Sequence, residues 1–170
     1  MNRSLAMHGL DVHPVDAYRY FVGNGIHILA KRVCQDHPEK TEKVKRDYEA
    51  YYAQHWHDRS YPYDGIQEAL RDMKARNLKL CVFSNKPHQD TCHVIEHFFG
   101  KDNFDCIQGQ KEGIPIKPDP SGALFLAEAL GIAPCRMLYC GDSGVDMRCA
   151  RQAGMHACGV LWGFRERQEL

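Results

Sequence analysis

The sequence predicts an α/β fold, a Rossmann-like parallel-sheet core preceded by a small helical domain. Three observations predict it. Up to residue 60 the apolar residues recur at helical spacing, whereas beyond residue 65 helical patterns alternate with short apolar runs. Those runs are apolar on both sides, as strands between two helix layers are. Between the two regimes lies the turn-rich stretch SYPYDG, residues 60–65. We therefore expect a helical domain over 1–60 and an α/β core over 61–170.

Residues 2–8 form a short amphipathic helix stopped at Gly9, and a second helical stretch begins at Pro14. GIHILAKRVC (25–34) carries its apolar residues at helical spacing. In TEKVKRDYEAYYAQHW the residues Val44, Tyr48, Tyr51, Tyr52, His55 and Trp56 share one helix face, which we read as core packing. In the second part Ile66, Leu70 and Met73 mark a helix, and LKLCVFSN (78–85) is a strand ending in polar residues. A helix over roughly 88–99 stops at Gly100, and FDCIQG (104–109) is the next strand. IKPDPSGALFLAEALG then opens a helix with Asp119 as N-cap and Pro120 as first helical residue. RMLYCGDS and MHACGVLWG are two further strands, with a helix over 145–153 between them.

Composition excludes several classes. The 22 basic and 22 acidic residues balance, without a long run of either sign, so nucleic acid and anionic membranes are not expected partners. No apolar segment approaches the ~20 residues of a membrane span, and MNRSLAMHGLDVHP has no signal-peptide pattern. The eight cysteines show no C-x-x-C spacing and the ten histidines are scattered, which argues against a zinc site. Cys81, Cys106, Cys140 and Cys158 sit in apolar runs as small hydrophobes. Reduced thiols in a cytoplasmic protein are the expectation.

In open parallel sheets ligands bind outside the carboxyl ends of the strands. The strand over 78–83 ends in Ser84 and Asn85, Lys117 follows the strand over 104–108, and the strand over 136–140 ends in Gly141 and Asp142, with Asp146 in the next helix. A hydroxyl, an ammonium and two carboxylates at one lip suit a magnesium ion and a phosphate. Taken singly, each also has a plain structural role: Ser143-Gly144-Val145-Asp146 fits a capping pattern, Ser84 a strand-end cap, Lys117 a solvated loop.

With these residues in hand, the chain resembles haloacid dehalogenase (HAD) superfamily hydrolases, in particular the phosphoglycolate phosphatase-like branch with a helical cap. LCVFSNK resembles the second family motif, IKPDP the third and LYCGDSGVDMRCARQAGM the fourth. YFVGNGIHILAKRV resembles the start of the cap and YPYDGIQEALRDMKARN the return to the core; the likeness runs from about residue 2 to 166. The resemblance implies Ser84 as the phosphate-binding hydroxyl, Asn85 beside it, and Lys117 as the phosphate-neutralising lysine. It also implies Asp142 as magnesium ligand, Asp146 in support of the metal, and a small phosphorylated metabolite as substrate. Gly23, Asn24 and Gly25 open a cap helix whose amides meet a substrate carboxylate, or form a simple turn.

The family's first motif, an aspartate pair D-x-D that supplies nucleophile and acid/base, occurs nowhere in the 170 residues. In the family its strand lies between the strand ending at Ser84 and the one ending at Asp142. The expectation is therefore a magnesium-dependent phosphomonoesterase present as an incomplete, inactive chain, lacking the first motif and the carboxyl-terminal end, monomeric or homodimeric. The alternative is a natural pseudoenzyme or interaction module on the same scaffold.

Overall fold

The computed structural model describes all 170 residues. They divide into two compact units, Met1–Ser60 and Tyr61–Leu170.

The first unit is helical: α1 (Asn2–Met7), α2 (Tyr18–Phe21), α3 (Ile26–Val33) and α4 (Thr41–His55). Leu5, Leu10, Leu29, Val33, Cys34 and Val44 form its core. Tyr18 donates to Asn2 Oδ1 at 2.5 Å, and burial, reinforced by Cys34, pushes its phenol up to about 12. The aromatic face of α4 differs from expectation. Of its six residues only Val44 is buried in the core; Tyr48, Tyr52 and Trp56 are half-buried, Tyr51 and His55 exposed. The reason is that only the first turns of α4, Thr41 and Val44, reach the interior. Farther along, Tyr51 stacks on His55 at 4.1 Å beneath the Arg3 guanidinium.

In the second unit, α5 (Ile66–Ala75) leads to β1 (Cys81–Pro87), α6 (His88–Phe99), β2 (Cys106–Gln110), α7 (Ser121–Leu130), β3 (Leu138–Gly141), α8 (Gly144–Gln152) and β4 (His156–Gly159). All strand pairing is parallel. Cys81, Val82 and Phe83 face Cys106, Ile107 and Gln108, after which the register slips before Pro87. Leu138 to Gly141 face His156 to Gly159 without interruption. The pairs β1–β2 and β3–β4 are separate two-stranded sheets; no ladder joins β1 to β3. Within each pair the two strands are parallel, as the α/β reading expects.

The core of this unit is built from small side chains. Ala123 and Ala127 of α7 meet Cys149 and Ala150 of α8, with Ala153 and Met155 beyond, and Phe83, Met137 and Tyr139 close over them. Small residues let two helices approach the same strand closely. Gly122, at the start of α7, lies so near the Phe83 ring that a Cβ there would collide with it. The expected burial of β3 on both faces is not met. Tyr139 is half-buried over α8, while Leu138 is 66 % exposed and Cys140 also faces out. All eight cysteines are free. Burial, with Cys106 opposite, pushes the Cys81 thiol up to about 11. No helix is long and apolar enough to cross a membrane.

Candidate active site

The ends of β1 and β3 and the start of α8 place the charged residues. At the end of β1, Asn85 is buried and holds the loop before α7 in two directions. Its Oδ1 accepts from the Lys117 amide at 2.8 Å, and its Nδ2 donates to the Lys117 carbonyl at 3.1 Å. This two-way grip on a residue 32 positions away fixes where the Lys117 side chain starts. The ammonium then donates to the Phe83 carbonyl at 3.2 Å and to Asp146 Oδ1 at 2.8 Å. The Phe83 and Tyr139 rings flank it, their centroids 5.3 and 6.0 Å from Nζ. The contact is close to dry: the Lys117 and Asp146 side chains are 12 % and 8 % exposed.

Asp146 is held from every side. Ser143 caps α8, accepting from the Asp146 amide at 3.3 Å, and its hydroxyl donates to Asp146 Oδ2 at 2.6 Å. The Tyr139 hydroxyl lies 3.4 Å from Oδ1. The capping pattern read from the sequence and the charge pairing therefore occur together in one residue. Burial pushes the Asp146 carboxyl up, but the Lys117 ammonium and the hydrogen bonds from Lys117 and Ser143 outweigh it, and the group ends below the usual carboxylate range. Burial, helped by the Asp146 charge, drives the Tyr139 phenol well above its ordinary value. Tyr139 therefore stays neutral and can donate a proton to a hydrogen bond.

Asp142, four residues earlier, points elsewhere. Its Oδ2 accepts from the Phe164 amide at 3.2 Å, and Oδ1 has no protein partner. Ser84 uses its hydroxyl locally, accepting from the Lys86 amide at 3.1 Å. Gly23, Asn24 and Gly25 belong to the first unit. Gly23 and Gly25 adopt positive φ, 108° and 81°, and Asn24 Oδ1 accepts from Arg32, which also holds the Tyr20 and Phe21 carbonyls.

The second unit thus brings Asn85, Lys117 and Asp146 into one hydrogen-bonded chain, with Asp142 just ahead of Ser143, the cap of α8. No group of three or more His, Cys, Asp or Glu side chains is clustered to hold a metal ion. Both Asp146 oxygens are committed to Lys117, Ser143 and Tyr139, whereas Asp142 offers one open oxygen. A carboxylate oxygen without a protein partner is a donor of the kind magnesium takes. Sequence reasoning missed Tyr139 and the Gly163–Phe164 turn. A tyrosine inside an apolar strand reads as core, and the turn meets Asp142 from 22 positions away.

Residues 1–160 match the haloacid dehalogenase-like hydrolase family. The chain belongs to that family. Among its relatives it is 31 % identical over 150 residues to the phosphoglycolate phosphatase of Thiobacillus denitrificans, covering 85 % of this chain and 66 % of the relative. It is 26 % identical over 156 residues to the phosphoglycolate phosphatase of Pseudomonas putida, covering 88 % of this chain and 57 % of the relative. The chain therefore spans less than two thirds of the length of each. Its fold also matches the crystal structure of a predicted phosphoglycolate phosphatase from Haemophilus somnus with a TM-score of 0.88 and 26 % identity, over 95 % of this chain and 76 % of the other.

Proposed function

We propose that this chain carries the cap and the phosphate-handling half of a magnesium-dependent phosphomonoester hydrolase of the phosphoglycolate phosphatase type, and that by itself it is incomplete and inactive. The observation that carries the reading is the Asn85–Lys117–Asp146 chain at the ends of β1 and β3. A near-dry ammonium held on a buried carboxylate is a cation kept in place for an anion.

In this reading Ser84 and Asn85 bind the phosphoryl group at the end of β1, and Lys117 neutralises its charge. Asp142 would hold magnesium through the oxygen that Phe164 leaves unused, and Asp146 would support the site by fixing the Lys117 ammonium. Magnesium, when bound, supplies charge neutralisation at the phosphoryl oxygens. Residues 1–60 act as a cap, with Gly23, Asn24 and Gly25 presenting backbone amides to a substrate carboxylate. The substrate is a small phosphorylated metabolite, handled in the cytoplasm by a monomer or homodimer. In-line attack needs a nucleophilic carboxylate, and none of the 170 residues forms the D-x-D pair that supplies it in the family. Uncatalysed monoester hydrolysis is so slow that positioning alone yields no measurable turnover. The separation of β1 from β3, the exposure of Leu138 and the span against the two relatives support the incomplete reading.

The test pairs circular dichroism melting with p-nitrophenyl phosphate hydrolysis, on this chain and on one extended upstream by a strand ending in D-x-D. The expected result is magnesium-dependent turnover from the extended chain alone. Turnover from the 170-residue chain, abolished by Asp142→Ala, would overturn the assignment of the nucleophile. An extended chain that stays inert, beside a short chain that melts cooperatively, would favour a non-catalytic scaffold.

A further inference from the structure

Two glycines stand against the two carboxylates of the site. At Gly141 a Cβ would meet Asp146, 2.6 Å from its Cγ, and at Gly163 a Cβ would meet Asp142, 2.7 Å from its Cγ. Gly163 is not in the left-handed region, so its backbone does not call for glycine. What excludes a side chain there is the Asp142 side chain, its Cβ nearest and its carboxylate next. The next residue, Phe164, donates its amide to Asp142 Oδ2 at 3.2 Å.

The turn is anchored on its far side as well. Arg165 is nearly buried, its side chain 11 % exposed, and its Nε pairs with Glu169 Oε1 at 3.2 Å. The same Glu169 oxygen accepts from the Gly144 amide at 3.0 Å, in the first turn of α8. A closed circuit therefore runs from Asp142 through Phe164, Arg165 and Glu169 to Gly144, two residues beyond Asp142. A carboxylate gripped through one oxygen presents the other in a fixed direction.

We propose that the segment Gly163–Glu169 is a brace that positions the Asp142 carboxylate for a divalent cation, with Gly163 as the residue on which the fit depends. The inference rests on the reading of Asp142 as a metal ligand. Phe164 and Glu169 touch neither the cation nor the reacting atoms; they act through Asp142. Partners of this kind govern metal affinity by orienting the ligand.

The test is a Mn2+ titration of the 15N-labelled chain, followed by paramagnetic broadening of the amides of Gly141, Ser143 and Phe164. Gly163→Ala is expected to move the Mn2+ midpoint of that broadening up about tenfold, the lower end of the range for a lost outer partner, with amide positions away from the site unchanged. Glu169→Gln, which leaves the space around Asp142 intact, is expected to shift it in the same direction by less. Broadening at the wild-type Mn2+ concentration in both variants would overturn the brace and leave the metal reading standing. Absence of local broadening in the wild-type chain would overturn the metal reading, and the brace with it.

Discussion

Lys117 Nζ lies 2.8 Å from Asp146 Oδ1 and 3.2 Å from the Phe83 carbonyl, so one ammonium ties the end of β1 to the first turn of α8. Both charges are nearly out of water. Removing one partner of such a pair leaves the other charge buried and uncompensated, which costs more than the pair itself contributes.

Lys117→Ala is therefore expected to lower stability by about 3 kcal/mol. Replacing both residues, as Lys117→Met with Asp146→Leu, is expected to recover most of that loss. Urea unfolding of the single and double variants measures both, and an equal loss in the two would contradict the pairing argument.

Acid tests the same carboxylate from the other direction. Asp146 is held below the usual range in the folded chain, so the folded state gives up its proton more readily than the unfolded one. Its contribution is complete above the unfolded carboxylate value near ~3.9 and is lost as pH falls through the lower folded value. Melting temperatures taken from pH 5 downward should drop more steeply for the wild-type chain than for Asp146→Asn. Parallel curves would show that Asp146 is not held in this way.

Ser143 serves α8 twice, as cap to the Asp146 amide and as donor to its carboxylate. Ser143→Ala is expected to lower stability by about 1 kcal/mol through loss of the cap, with Ser143→Thr retaining most of it. Thermal melts of the two variants side by side provide the check.

Gly109, in β2, has no room for a side chain. A Cβ there would stand 2.6 Å from the His88 Cα and 2.9 Å from the Lys86 carbonyl oxygen. Backbone atoms at that distance cannot swing aside, so Gly109→Ala is expected to lower stability by about 2 kcal/mol, as overpacking does. A urea midpoint equal to that of the wild-type chain would show that β1 and β2 can separate at no cost.

The order of helices and strands was legible because each announces itself locally. α7 starts one residue later than expected, at Ser121 with Pro120 in the cap position, although Asp119 still accepts from the Ser121 amide at 2.9 Å. Gly100 and Gly131 stop α6 and α7 with positive φ. Strand edges were less legible. LKLCVFSN reads as a strand from residue 78, yet β1 begins at Cys81, because Leu78 is half-exposed and the Leu80 amide is taken by the Asp105 carboxylate. Of the site, the spacing of Asp142 and Asp146 marked a carboxylate pair. It could not show that the two part company, one turning to Lys117 and the other to Phe164, since both partners lie more than 20 positions away. The half-exposed aromatic face of α4 escaped for a related reason. Helical periodicity fixes which residues share a side, whereas the depth of that side depends on what packs against it.

The two strand pairs have a dynamic consequence. Cys81 to Phe83 bond to β2 and Leu138 to Gly141 bond to β4, and no backbone hydrogen bond crosses from one pair to the other. Separating β3 from β4 therefore breaks nothing in the ladder of β1 and β2. Amide hydrogen exchange should resolve them as two cooperative units with different opening free energies. Phe83, Lys117 and Asp146 form a side-chain link between them. Cutting that link with Lys117→Met should widen the difference in protection between the two pairs.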